Sequence, residues 1–493
     1  MHTINGDNMN NNSIWSKELK TSFPELKKDI SADVLIIGGG ITGVNTAYQL
    51  IESGLSVCLV EKNNIGSGVT SRTTGKLTYL QENMCSRIKK FHGMDFTKLY
   101  VESQKDAINL ACDIINKENI DCNLEKVKSY IFTSEDTVKL REEERLYEVF
   151  GIDVKVSNTL PHDNKVNKNF YVDDTYVFHP IKFINSLANI CSKRGICVFE
   201  NTKIISMDEV SDGYICKTKD NSIRCKYVVL ALHYPYFLSP FWMPFKGYLE
   251  KSYIEAFRVE KNYKFSAITV SSPVTSIRYY TDSDQNYQLY LSKSHNLAIK
   301  NNEEENFQDM LNENSTKPDY LWSNKDIMTI DSLPFIGYVN DNRKLLIATG
   351  YNTWGMTNGI LAGKILSDII LCNDNKYIEL FSPTRKFNIS VLGNASLILG
   401  SNIYSFVKTK IIKNKSWYSN NVRFEMRNGK NVAIYTDDEK KEHIVYNICP
   451  HMKCSLIFNE VEKTWDCPCH GSRFNLDGKC IEGPSNYNIS YKE

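Results

Sequence analysis

The segment Asp33-Val-Leu-Ile-Ile-Gly38-Gly-Gly40-Ile-Thr-Gly43-Val-Asn-Thr-Ala-Tyr-Gln-Leu50 decides the fold of the N-terminal part of the chain. An apolar run ends in a glycine turn and passes into a helical stretch, and a second apolar run, Val57-Cys-Leu-Val60, follows it. This order predicts a βαβ unit. Gly38 suits a tight turn, Gly40 lets the backbone approach a pyrophosphate, and Gly43 lets helix and strand pack closely. The free N–H groups of the helix start then face phosphate. Glu61, at the end of the second strand, is placed to accept hydrogen bonds from ribose hydroxyls.

FAD and NAD share this pattern, so the flanks must discriminate. After Glu61 comes Ile65-Gly-Ser67-Gly-Val-Thr70-Ser-Arg-Thr-Thr-Gly75-Lys76, whose small and hydroxyl side chains offer donors to a long cofactor. Far downstream, Leu345-Leu-Ile-Ala-Thr-Gly350-Tyr-Asn-Thr-Trp354-Gly355-Met356-Thr357-Asn-Gly359 reads as a strand, a glycine-rich turn and the start of a helix over Ile360 to Ile370. That helix N-terminus is suited to stabilise negative charge on a reduced flavin.

At these residues the chain resembles the D-amino-acid-oxidase superfamily of FAD-dependent oxidoreductases, from roughly Asp33 to Cys372, with Asp331-Ser-Leu-Pro-Phe-Ile-Gly337 adding to the match. The resemblance implies an α/β FAD-binding Rossmann-like domain, discontinuous in sequence, with an inserted α+β substrate domain. FAD is expected on Gly38, Gly40, Gly43, Glu61, Ser67, Thr70, Gly350, Trp354, Gly355, Met356 and Thr357. Lys76 is expected near the flavin ring and Arg278 at a substrate carboxylate. A surface lysine and a structural arginine are the alternatives, and His179 and His233 read as structural. No acid–base dyad stands out, and flavin chemistry does not require one.

The C-terminal end carries Cys449-Pro-His451-Met-Lys-Cys454, then 12 residues, then Cys467-Pro-Cys469-His470-Gly-Ser472-Arg-Phe474. Two Cys and two His in this pattern fit a Rieske [2Fe–2S] centre, with thiolates on one iron and imidazoles on the other. Structural zinc favours other spacings. The module resembles Rieske domains, an all-β fold, and Gly483-Pro484 matches their proline loop. Cys449, His451, Cys467 and His470 are the expected ligands. The resemblance to cytochrome bc-type members implies a Cys454–Cys469 disulfide, with buried thiols as the alternative. Those proteins often carry Tyr where Phe474 stands, which leaves Ser472 to support the reduction potential.

The remaining composition sets bounds. The chain has 493 residues, enough for about three domains. Its 59 Lys+Arg balance 58 Asp+Glu, which disfavours a nucleic-acid partner. Residues 1–30 read as an N-terminal segment, 31–375 as the FAD-dependent domain, 376–415 as a linker and 416–493 as the Rieske module. No integral span is found; Ser396 to Ile412 is the most apolar candidate and leaves a peripheral membrane contact open. The N-terminus lacks the apolar core of a signal peptide, so a cytoplasmic location is expected. Of 14 cysteines, the nine from Cys58 to Cys372 read as small buried hydrophobes. Nearly the whole chain, with Ser13-Ile-Trp15 included, resembles bacterial FAD-dependent oxidoreductases of the amine-oxidase type bearing a Rieske domain. That implies dehydrogenation of a small amine or amino acid, with electrons leaving through the cluster to an unidentified carrier. A reductase running in reverse and a non-catalytic redox sensor are the alternatives.

Overall fold

Strand residues Val34 and Ile36 enter one hydrophobic core, while Leu35 and Ile37 enter another on the opposite face of the sheet. The neighbouring strand divides likewise, Val57 and Leu59 from Cys58 and Val60. Period-two alternation in an unbroken apolar run means a sheet covered on both faces, as parallel sheets are. The computed structural model describes residues 12–19, 21–135, 138–162, 168–234, 246–297, 303–313, 317–340, 344–387, 391, 393, 400, 421–451, 453–460, 462–469, 471–483, 485 and 487–492. Ser396 to Ile412, apart from Gly400, and most of the expected linker therefore lie outside the described residues.

The covered sheet runs in the order Phe335–Tyr338, Leu345–Thr349, Ser222–Leu230, Ile30–Ile37, Val57–Val60 and Cys197–Phe199, parallel except for its first member. Helices Ile41–Gln49, Pro180–Lys193 and Gly355–Leu371 supply much of one covering layer. The last begins five residues before the expected Ile360, because Gly355 to Gly359 already carry helical hydrogen bonding.

A second sheet holds Tyr320–Thr329, Gly247–Val259, Gln285–Asn296, Ser276–Asp282, Phe265–Thr269, Glu125–Thr133, Lys168–Val177 and Lys76–Leu77 in that order. The C-terminal module packs Val422–Arg427, Lys430–Thr436 and Glu442–Tyr446 against a four-stranded sheet over 457–482. Trp465, Leu456, Phe474 and Val445 lie in its core. Among the described residues no helix is long and apolar enough to cross a membrane.

The N-terminal segment is part of the first body. Trp15 is fully buried and its Nε1 donates to the Thr73 carbonyl at 2.6 Å. Glu200 accepts from Thr21 Oγ1 at 2.6 Å, Phe23 N at 3.0 Å and Ile65 N at 2.6 Å. Of the nine earlier cysteines, Cys197 and Cys372 are exposed and Cys112 is half-buried, which corrects the expectation of uniform burial. Cys372 sits on the C-cap of helix Gly355–Leu371 and Cys197 on an edge strand, where no second layer covers them.

Candidate active site

Strand Ile30–Ile37 runs into Gly38, whose φ of +115° favours glycine. Its N–H donates to the Val60 carbonyl at 2.9 Å. A Cβ on Gly43 would stand 1.9 Å from the Gly38 carbonyl oxygen, so the helix can close onto the turn only with glycine there. Glu61 accepts from Gly39 N–H at 2.8 Å and Asn63 N–H at 2.9 Å. Burial raises its pKa against these two donors. Thr70 Oγ1 accepts from Ile41 N–H at 3.1 Å and so ties the small-residue loop to the helix start.

Gly38, Gly40, Glu61, Ser67 and Thr70 line one cavity together with Gly350, Gly355 and Met356, so both ends of the chain converge on it. A glycine-floored cradle between a helix start and a carboxylate fits a dinucleotide. Gly43, Trp354 and Thr357 are not among its lining residues. Trp354 N-caps the second helix, and Thr357 Oγ1 donates to Thr78 O at 3.5 Å. Tyr351 was not singled out by the sequence, yet its hydroxyl meets Thr42 Oγ1 at 2.7 Å and links the two motifs.

Lys76 and Arg278 are not among the residues that line this cavity. Lys76 Nζ donates to Ala267 O at 2.9 Å and Ser276 Oγ at 2.5 Å inside the second sheet. Burial, then the Arg278 charge, brings its pKa down to about 7. Arg278 donates to the carbonyls of Thr74, Gly75 and Phe178, the last at 2.8 Å. Three backbone acceptors thus fix this guanidinium in the core. His179 is structural as expected: it N-caps helix Pro180–Lys193, its Nδ1 accepting from Lys182 N–H at 3.2 Å.

In the C-terminal module the two cysteine loops close by the same scheme. Cys449 N–H donates to Cys454 O at 2.8 Å and Lys453 N–H to Cys449 O at 2.9 Å. Cys467 N–H donates to Ser472 O at 2.7 Å and Gly471 N–H to Cys467 O at 2.9 Å. Both loops turn through a positive φ, at Lys453 and Gly471. Cys454 and Cys469 are joined in a disulfide, while Cys449 and Cys467 stay outside it and buried. Burial pushes His451 down to about 4, which keeps its imidazole neutral as metal ligation requires. This donor set fits a [2Fe–2S] cluster; His470 lies outside the described residues. Ser472 Oγ accepts from Ser485 N–H at 2.9 Å, leaving its own proton to donate elsewhere.

No motif in the chain announces what joins the modules. Glu462 receives Arg473 at 2.6 Å from its own domain, and Ser323 at 2.8 Å, Lys251 at 3.4 Å and Arg72 at 3.5 Å from the first body. Burial pushes the Glu462 carboxyl up, but Arg473, Lys251 and Arg72 hold it well below the usual carboxylate range. As a result Ile481, Glu482, Gly483 and Ser485 of the C-terminal module line the same cavity as Gly38 and Gly350. Partners about 140 to 390 positions apart carry no local signal that could have announced this.

The cavity lining holds Glu61, Asp326 and Glu482 beside Lys62, Arg72 and Lys203. Asp326 lines it and stands opposite Glu250 on the adjacent strand. Burial, then Glu250, raises Asp326 to about 7; burial also raises Glu82 to about 7, against Arg87.

Residues 33–369 match the family model described as FAD dependent oxidoreductase, and residues 408–491 match that of the Rieske [2Fe-2S] domain. The chain is 28% identical over 483 residues to a Rieske 2Fe-2S iron-sulfur protein, YhfW, of Bacillus subtilis, with 94% of each chain covered. Glycine oxidase from Geobacillus kaustophilus superposes with a TM-score of 0.59 at 18% identity, over 73% of this chain and 100% of that one. L-proline dehydrogenase from P. horikoshii gives 0.60 at 16%, over 73% and 98%.

Proposed function

This chain belongs to the FAD-dependent oxidoreductase family and carries a Rieske [2Fe–2S] domain, and from that premise we propose that it dehydrogenates a small amine or amino acid and passes the electrons to an external carrier. FAD when bound accepts a hydride and releases electrons singly, and a [2Fe–2S] cluster carries one at a time. The observation that carries the reading is the shared cavity: residues 481–483 and 485 of the Rieske domain wall the space bounded by Gly38, Glu61 and Gly350. A wall made by the second module would shield this space from water and put the cluster-bearing module beside the flavin site.

The polar groups favour a nitrogen substrate. Asp326 and Glu250 face each other in a buried setting that disfavours their charge. An ammonium ion entering there would favour the ionised form of either carboxyl and be held by it. The names of the structural neighbours, glycine oxidase and L-proline dehydrogenase, support amino-acid or amine chemistry.

Anaerobic mixing of the holoprotein with a panel of amines and amino acids tests this. The expected result is bleaching of the flavin absorbance by one class of compound, followed by appearance of the reduced-cluster resonance. Bleaching without cluster reduction would refute the electron route. Reduction only by dithionite across the panel would refute the dehydrogenase.

A further inference from the structure

Strand Tyr320–Thr329 carries Asp326 toward the cavity and, one residue earlier, Lys325 toward the Rieske domain. Alternation along the strand puts these two side chains on opposite faces. Lys325 is buried, and its Nζ donates to the Gly471 carbonyl at 2.8 Å. Gly471 directly follows His470, and its N–H closes the loop on Cys467, so this bond grips the turn that bears two of the four expected cluster ligands. The turn is pressed against the flavin domain: a Cβ on Gly471 would lie 2.8 Å from Leu249 Cδ1.

Arg72, Lys251, Lys325 and Arg473 are ion-paired around this contact with Glu462, Asp466 and Glu482. Lys325 hydrogen-bonds the ligand turn, with Glu482 beyond it at 3.5 Å. Reduction of the cluster adds one negative charge nearby. A buried positive charge, weakly screened, stabilises that form.

We propose that Lys325 of the flavin domain is a positioning residue for the Rieske centre, holding its second ligand turn through the Gly471 carbonyl and raising its reduction potential. The cluster's acceptor strength is thereby set by the domain that supplies its electrons. The proposal rests on the cluster assignment and needs neither substrate nor carrier, so it stands or falls apart from the proposed reaction.

Spectroelectrochemical titration of the full-length holoprotein, read at the cluster's visible circular dichroism with iron and FAD quantified, tests it. Lys325→Met is expected to shift the equilibrium about tenfold toward the oxidised cluster, a fall of about 59 mV for one electron. Lys325→Arg should recover at least half of it. Lys251→Met serves as comparator, because the Lys251 charge is paired with Glu462 and Asp466; its fall should be less than half as large. An unchanged potential in Lys325→Met with iron retained would overturn the proposal, as would an equal fall in Lys251→Met. Should Lys325→Met not hold iron, Lys325→Gln keeps a donor without the charge. A fall there supports the assignment, and a wild-type potential refutes it.

Discussion

The guanidinium of Arg278 lies 5.1 Å from the centre of the Trp15 ring, and together they join the N-terminal segment to the second sheet. The same guanidinium grips the Gly75 and Phe178 carbonyls, so one side chain fixes three separate stretches of chain. Arg278→Lys loses the planar fork and is expected to destabilise the protein by about 2–4 kcal/mol. Differential scanning calorimetry should show the lowered Tm, with KM for the oxidised substrate within about twofold of wild type. A selective rise in KM at unchanged Tm would make Arg278 a substrate ligand after all.

Cys449→Ser should abolish iron binding and leave FAD at about one per chain, because the Gly38–Glu61 site and the Cys–His loops share no residue. Metal analysis beside flavin absorbance decides it. Loss of both cofactors together would mean that the Rieske fold is needed to close the flavin cavity.

Alkylation of the denatured, unreduced protein should label 12 of the 14 cysteines, since Cys454 and Cys469 are joined. Closing that short loop contributes roughly 3 kcal/mol by loop-closure entropy. Cys454→Ser with Cys469→Ser should therefore weaken the Rieske domain by about that amount in urea. Fourteen labels before reduction would exclude the bond.

Ser472→Ala should lower the cluster potential. The Ser472 hydroxyl accepts from Ser485 N–H and keeps its proton for a sulfur, and a lost bond of about 1–2 kcal/mol corresponds to roughly 40–90 mV. Phe474 is buried in the domain core and cannot donate, so Phe474→Tyr should raise the potential if the ring's place is kept. Voltammetry on the holoprotein reads both signs, and a rise in Ser472→Ala would contradict the account.

Asp326→Asn should stabilise the protein at alkaline pH. The folded-state pKa of Asp326 is raised from 3.8 to about 7, so the folded chain holds its proton where the unfolded chain has lost it. Its cost to stability is absent below about pH 4, grows through the window between the two values and is full above pH 7. At roughly 1.4 kcal/mol per pH unit the gain in Asp326→Asn has an upper bound of about 4 kcal/mol at pH 8. Urea titrations at pH 4.5 and pH 8 should show the gain only at the higher pH, together with weaker binding of an amine. Equal effects at both pH values would rule out the linkage.

The features legible in the residues alone are local. Gly38, Gly43 and Glu61 lie within one βαβ unit, where a turn needing positive φ and a helix touching its own strand leave few residue choices. The two cysteine loops are equally local, each closed by hydrogen bonds spanning four or five residues. Tertiary structure alone decided the rest. Lys76 and Arg278 sit where the motif directs attention, but whether a cation faces a cavity or a carbonyl depends on which strand packs behind it, and that strand is about 200 residues away. The meeting of Lys325 with Gly471, and of Glu462 with Arg72, likewise depends on how two independently patterned cores dock. Charged side chains at such a contact look in sequence like any solvated surface, because only burial by the partner module distinguishes them.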